Sequence, residues 1–111
     1  MAKYLILFNS SATLREVMAQ SSPEQVQASM TEWIEWRDMA NKTCKFEFGM
    51  PLESAARITT QDVTASDTNV TGYATIEGDS KEVVTELLQS HPHLKRPGCS
   101  IDLLEMMPLD K

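Results

Sequence analysis

The sequence predicts an α+β sandwich in which two helices pack on one face of an antiparallel sheet. Patterns typical of strands and helices succeed one another in the order β-α-β-β-β-α-β, and the third strand could be an insertion. Two β-α-β crossovers, each right-handed, give a ferredoxin-like arrangement. The 111 residues suit a single domain, residues 1–111, with enough buried surface for one core.

The first predicted strand indicates how the sheet is covered. Tyr4–Phe8 is a continuous apolar run, and such a run is typical of a strand buried on both faces. Two helices cover only one face of the sheet, so the other face needs a second layer. A second copy packed sheet to sheet is the simplest cover, and we therefore predict a homodimer.

Two helices are predicted next. A short one could occupy Thr13–Gln20, and a longer one begins at Ser22, with Pro23 in its first turn and Gln25 completing a capping box. It is expected to run to about Asn41. Its predicted apolar arc, flanked by Ile34 and Trp36, consists of Val26, Met30, Trp33, Arg37 and Ala40.

The middle of the chain alternates in polarity. Cys44–Gly49 predicts a strand with Phe46 and Phe48 pointing inward, and Arg57–Val63 could form a further strand. Ala65–Asn69 has the composition of a turn.

The last part of the chain predicts a strand, a helix and a strand. Val70–Glu77 alternates, and Asp79 and Ser80 can cap a helix that Pro92 would end. Cys99–Met107 is the final predicted strand. The predicted apolar stripe of the helix consists of Val83, Val84, Leu87, Leu88 and His91.

Composition excludes several classes of function. The formal net charge is −6, and an acidic surface without a basic stripe repels nucleic acid. The N-terminal apolar run is too short for a signal sequence or a membrane span. Two cysteines are too few for a disulfide-stapled scaffold, so both are expected to be free thiols in a cytoplasmic protein.

His91 is the candidate catalytic residue. Both histidines of the chain fall in Leu87–Leu94, and an imidazole beside a core can act as an acid or a base near neutral pH. The alternative is a structural histidine that binds the last carbonyls of the helix. His93 is either a ligand-contacting residue or an ordinary loop residue.

No metal or organic cofactor is predicted. His91 and His93 could share a metal only with a further ligand such as Asp102 or Glu105, and no cluster of Cys and His supports such a site.

Three more residues are candidate substrate contacts. Tyr73 could orient a ligand, or it could belong to the dimer interface. Arg37 interrupts an apolar arc, where it could hold a carboxylate, form a buried pair, or extend its stem over the core. Trp36 could line a pocket rim, or it could serve as core.

The chain resembles the YCII-related family, which is sometimes labelled by a DGPF motif. The match covers nearly the whole chain, and the matching segments are Lys3–Leu7, Ser22–Glu24, Met30, Trp33, Trp36, Gly49–Leu52, Gly72–Tyr73, His91–Leu94 and Ile101–Pro108. The resemblance implies a ferredoxin-like fold assembled as a dimeric α/β barrel. The DGPF tetrapeptide is absent, with Asp67–Val70 near its expected place, and residues 23–27 lack the histidine of some relatives.

The resemblance implies less about activity than about fold. A catalytic histidine–aspartate pair and a dehydrochlorinase-like activity are associated with some relatives, and the wider group includes monooxygenases and lactone isomerases. The first hypothesis is an enzyme in which His91 transfers a proton during an elimination, an isomerisation or an addition. The second is a non-catalytic module that binds a small metabolite, and the third, ranked last, is a structural or regulatory partner protein.

Overall fold

The computed structural model describes residues 2–66 and 68–108. Four strands form one antiparallel sheet: β1 (Ala2–Ser10), β2 (Lys45–Pro51), β5 (Val70–Gly78) and β6 (Cys99–Glu105). Their order is β2-β5-β1-β6, with β1 paired to both β5 and β6. The prediction of an α+β fold with an antiparallel sheet is confirmed, and this order is compatible with a ferredoxin-like fold.

Three helices accompany the sheet: α1 (Leu14–Gln20), α2 (Pro23–Ala40) and α3 (Lys81–Leu88). Both α1 and α2 begin with a capping box, in which Thr13 pairs with Glu16 and Ser22 with Gln25. These reciprocal bonds satisfy backbone N–H groups that have no partner inside the helix.

The core lies between the sheet and the helices α2 and α3. Alternate side chains of β1 supply Tyr4, Ile6 and Phe8, each at most 3% exposed. The other buried members of the core are Trp36, Ala40, Cys44, Phe46, Ala74, Ile76, Val84 and Leu88. Leu5 and Leu7 of β1 lie on the opposite face of the sheet and are half-buried.

Several local predictions differ from the structure, and one concerns Val83, which was expected in the apolar stripe of α3 but is 42% exposed. Met30 was expected in the buried arc of α2 but is 55% exposed, and Phe48 was expected inward but is 40% exposed. Helix α3 ends at Leu88, so His91 follows the helix instead of belonging to its last turn. The further strand of the middle region is a separate hairpin of β3 (Arg57–Ile58) and β4 (Val63–Thr64).

The exposure of Phe48 reflects its place on the edge strand β2. Phe48 pairs with Ala74 in the same register as Phe46 with Ile76, so it lies on the core side of the sheet and contacts Phe46 and Trp33, but the outer side of its ring stays open to solvent. The predicted turn at Ala65–Asn69 contains Asp67, which lies outside the described residues.

Candidate functional site

His91 lies in the core and is 1% exposed. Its backbone is extended (φ −68°, ψ 136°), as expected for a residue that precedes a proline. The chain then forms a short 3₁₀ turn over Pro92–Lys95. The backbone N–H of His93 donates to Nδ1 of His91 at 3.0 Å, so the imidazole itself caps this turn.

Three aromatic rings surround the His91 imidazole, and we call Phe8, Trp33 and Trp36 the aromatic cage. The ring centroids of both tryptophans lie 4.5 Å from that of His91, and the centroid of Phe8 lies 5.1 Å away. Trp36 Nε1 donates to Ser90 Oγ at 3.1 Å, which fixes its indole. The cage is assembled from β1 and α2, and the imidazole that it encloses comes from the segment after α3.

The Nε2 atom of His91 has no hydrogen-bond partner among the described residues. Because Nδ1 accepts a hydrogen bond, the neutral imidazole carries its proton on Nε2. An N–H group can contact an aromatic face, but that contact is weaker than a hydrogen bond. A buried donor without a partner costs about 1–3 kcal/mol, so this N–H group calls for an explanation.

Burial, and to a smaller extent the neighbouring His93, lowers the pKa of His91 from 6.5 to about 3. The imidazole is therefore neutral at pH 7. A neutral imidazole can donate a hydrogen bond to a carbonyl or carboxylate oxygen, as in enzymes that keep such a ring neutral to polarise a carbonyl. It holds no second proton to give away at that pH.

His93 connects the 3₁₀ turn to the end of β1. Its Nε2 lies 2.8 Å from the backbone oxygen of Asn9, and its ring packs edge-on against Phe8 at 5.2 Å. Burial lowers its pKa, although the backbone oxygens of Asn9 and Ser100 oppose the shift. The residue supports the cage from outside and positions His91 through its backbone N–H.

The cage reaches the surface at Trp33, which is half-buried. Phe48 stacks beside Trp33 with centroids 6.3 Å apart and planes inclined by 25°. The guanidinium carbon of Arg37 lies 5.6 Å from the centroid of the Phe48 ring, and Arg37 also pairs with Asp38 at 3.1 Å. An aromatic surface with one cation therefore lies next to the buried imidazole.

Tyr73 lies away from this cluster. It pairs with Leu7 across β1 and β5, on the face of the sheet opposite Phe8. Its ring occupies the space that a side chain at position 49 would need, so Gly49 permits this placement. Of the predicted site residues, His91 contacts both Trp36 and His93, Arg37 is linked to them only through Phe48 and Trp33, and Tyr73 lies apart.

Two surface clefts lie elsewhere, and neither is lined by His91. One, of about 380 Å³, lies between the start of α1 and the end of β2, where Arg15 and Glu53 form an exposed ion pair at 2.9 Å. The other, of about 310 Å³, lies between α3 and β6 and is lined by Leu94 and Cys99 among others.

Two further findings concern the described residues alone. No group of three or more His, Cys, Asp or Glu side chains among them could hold a metal ion. No helix in the same part of the chain combines the length and the apolar character needed to cross a membrane.

The sequence analysis identified some residues of the site but not the two phenylalanines that pack around it. It singled out His91, His93, Trp36 and Arg37 but left Phe8 and Phe48 as ordinary core residues. One available signal was the spacing of Trp33 and Arg37, which lie four residues apart and hence on one side of α2.

Comparisons of the chain with family models and with curated proteins give no match. The resemblance to the YCII-related family therefore stays a prediction from the sequence.

Proposed function

We propose that this protein binds a small molecule at the aromatic cage, where the neutral imidazole of His91 donates the hydrogen bond from Nε2 to an oxygen of the ligand. The observation that carries the proposal is the buried Nε2 atom without a partner. An orphaned donor destabilises a core, and groups that destabilise a fold are typical of functional sites. The surrounding rings would supply apolar contact with the ligand.

The catalytic form of the proposal follows from the same geometry. A neutral imidazole that donates to a carbonyl oxygen stabilises the negative charge that develops there during an elimination or an isomerisation. His91 would then act as an electrophile instead of the proton-transferring group that the sequence suggested. The low pKa of His91 favours this role, and equally the non-catalytic alternative in which the bond only orients a metabolite.

We also propose that two copies pack sheet to sheet, as in the dimeric α/β barrel that the YCII resemblance implies. Leu5, Leu7 and Leu104 supply apolar surface on the face of the sheet opposite the core. An uncovered apolar sheet face needs a second layer. Tyr73 would then belong to the interface, which was one of its two predicted roles. Two free thiols favour a reducing compartment such as the cytoplasm.

The substitution His91→Leu tests the proposed role of the imidazole. Leucine is close to histidine in volume and removes the unpartnered Nε2–H donor, but it also removes the Nδ1 acceptor of the partly buried His93 N–H group. These two effects oppose each other, so we expect the free energy of unfolding at pH 7 to stay within about 1 kcal/mol of the wild-type value. Chemical denaturation of both proteins measures the difference. A loss of more than about 2 kcal/mol would show that the imidazole stabilises the fold, and the proposal would then be wrong.

A further inference from the structure

The aromatic cage can open on only one of its sides. Phe8 and Trp36 are 3% and 5% exposed, and Trp36 is held by its bond to Ser90. Trp33 is half-buried, and within the described residues its indole nitrogen has no hydrogen bond that would hold it in place. A rotation of Trp33 therefore exposes the imidazole at a lower cost than a movement of either other ring.

The residues around Trp33 indicate the chemical class of the ligand that the site would bind. Phe48 is 40% exposed and stacks beside Trp33, so the two rings present flat apolar surface next to each other. Arg37, one turn along α2, lies over the same Phe48 ring. Flat rings bind flat ligands, and a guanidinium binds carboxylates through two parallel hydrogen bonds.

Arg37 is available for such a ligand. Its partner Asp38 is the adjacent residue, and the side chains of the pair are 37% and 66% exposed. An exposed ion pair of this kind contributes little to stability, so exchanging Asp38 for a ligand carboxylate costs little. The guanidinium would keep its contact with Phe48 during the exchange.

We infer that Trp33 is the gate of the proposed site and that the ligand class is a planar aromatic carboxylate. Its carboxylate pairs with Arg37, its ring lies against Trp33 and Phe48, and an oxygen at its far end accepts the hydrogen bond from His91 Nε2. The inference rests on the proposed function, because it requires a neutral imidazole that donates to the ligand.

Tryptophan fluorescence gives a direct test, because Trp33 and Trp36 are the only tryptophans of the chain and both belong to the cage. The probes are 4-hydroxybenzoate, 4-hydroxybenzamide, which lacks the charge, and 4-hydroxycyclohexanecarboxylate, which lacks the flat ring. We expect 4-hydroxybenzoate to change the emission with a dissociation constant on the order of 1 mM, as is reasonable for a ligand of this size. Both comparison compounds should bind roughly tenfold more weakly or worse.

Two arginine variants locate the carboxylate. The substitution Arg37→Gln should weaken the binding of 4-hydroxybenzoate roughly tenfold. Arg15→Gln is the matched control, since it removes an arginine of another exposed ion pair, with Glu53, and should leave binding unchanged. Equal affinity for the acid and the amide, equal effects of the two variants, or no change in emission at about 10 mM would each overturn the inference.

The role of Trp33 as the gate can be tested separately, in the protein without a ligand. Trp33→Ala should accelerate the hydrogen exchange of His91 Nε2–H more than about tenfold, whereas Ile34→Ala, at a neighbouring exposed position, should not. Equal exchange in the two variants would refute the gate. The proposed function and the inferred ligand class fail on different observations. An imidazole that titrates near pH 6.5 would contradict the proposed function. A neutral imidazole whose Nε2–H signal does not change when 4-hydroxybenzoate is added would contradict only the ligand class.

Discussion

His91 is neutral because the three rings of the cage exclude water from it. The charged form would lose its hydration without gaining a carboxylate, since the described groups that shift its pKa are the burial itself and His93. Its Nδ1 would also lose the hydrogen bond from His93 on protonation. Both effects favour the uncharged ring.

The low pKa of His91 predicts how stability depends on pH. The unfolded chain binds a proton at this residue below about pH 6.5, whereas the folded chain does so only near pH 3. Stability is therefore fully present above pH 6.5 and is lost as the pH falls through this interval, at about 1.4 kcal/mol per pH unit. His91→Leu removes this contribution, so the difference in unfolding free energy between wild type and variant should change by about 2 kcal/mol between pH 7 and pH 5.

Urea denaturation at several pH values measures that difference. The lowered pKa of His93 acts in the same direction but is present in both proteins, so it cancels in the comparison. Parallel pH dependences of the two proteins would mean that His91 titrates normally in the folded state.

At the level of residues, the sequence placed His91 in the last turn of an apolar helix, whereas it follows the helix, and the sequence did not indicate how either histidine is bonded. The Pro92 ring ends the helical conformation before His91, and the side chain then turns back onto its own 3₁₀ segment. That outcome depends on Phe8 and Trp33, which lie 83 and 58 positions away along the chain. Contacts of this kind arise from tertiary packing and leave no local pattern.

At the level of elements, local chemistry predicted where helices begin better than which side they bury. The Ser22–Gln25 capping box is present as expected. The buried side of α2 includes Ala40, as predicted, but also centres on Trp36, which was expected only at the edge of the arc, because contact with β2 and the 3₁₀ turn orients a helix whose sequence is only weakly amphipathic. Met30 consequently faces solvent.

Glycine positions in β5 test how closely α3 packs on the sheet. A Cβ at Gly78 would lie 2.5 Å from Cγ2 of Val84 and 3.2 Å from Sγ of Cys44, whereas a Cβ at Gly72 would meet no atom closer than 3.6 Å. Gly78→Ala should therefore destabilise the protein by about 1–3 kcal/mol. Gly72→Ala, the matched control in the same strand, should change stability by less than about 1 kcal/mol.

Thermal or chemical unfolding of the two variants provides the comparison. If Gly78→Ala were as stable as Gly72→Ala, the contact between β5 and α3 would be looser than the structure indicates.

At the level of the whole molecule, the chain is flat. Its dimensions are 48 × 41 × 19 Å and its radius of gyration is 15.7 Å, compared with about 13 Å for a compact domain of this length. The hairpin of β3 and β4 contributes to this extension, since Ile58 and Val63 are 76% and 67% exposed. The helices α2 and α3 pack on one face of the sheet, and the proposed second copy would cover the other face.

Two substitutions to glutamate test the proposed dimer. Leu104, on the uncovered face of the sheet, and Val83, on α3, are 46% and 42% exposed, so either side chain can become charged at little cost to the isolated protomer. Leu104→Glu should convert dimers to monomers because it buries a carboxylate in the interface. Val83→Glu should leave the dimer intact.

Sedimentation equilibrium at micromolar concentration separates these outcomes. A wild-type protein that sediments as a stable monomer would contradict the sheet-to-sheet assembly, and so would a Leu104→Glu variant that remains dimeric. The composition of β1 predicted this assembly, but its geometry depends on a second chain and could not follow from one sequence.

The protonation state of His91 is the point on which the proposed site depends most directly, and ¹⁵N NMR of the imidazole measures it. We predict a neutral ring with the proton on Nε2, whose nitrogen shifts remain constant from pH 8 down to pH 5. Nitrogen shifts that change with a midpoint near pH 6.5, or a proton found on Nδ1, would contradict the account.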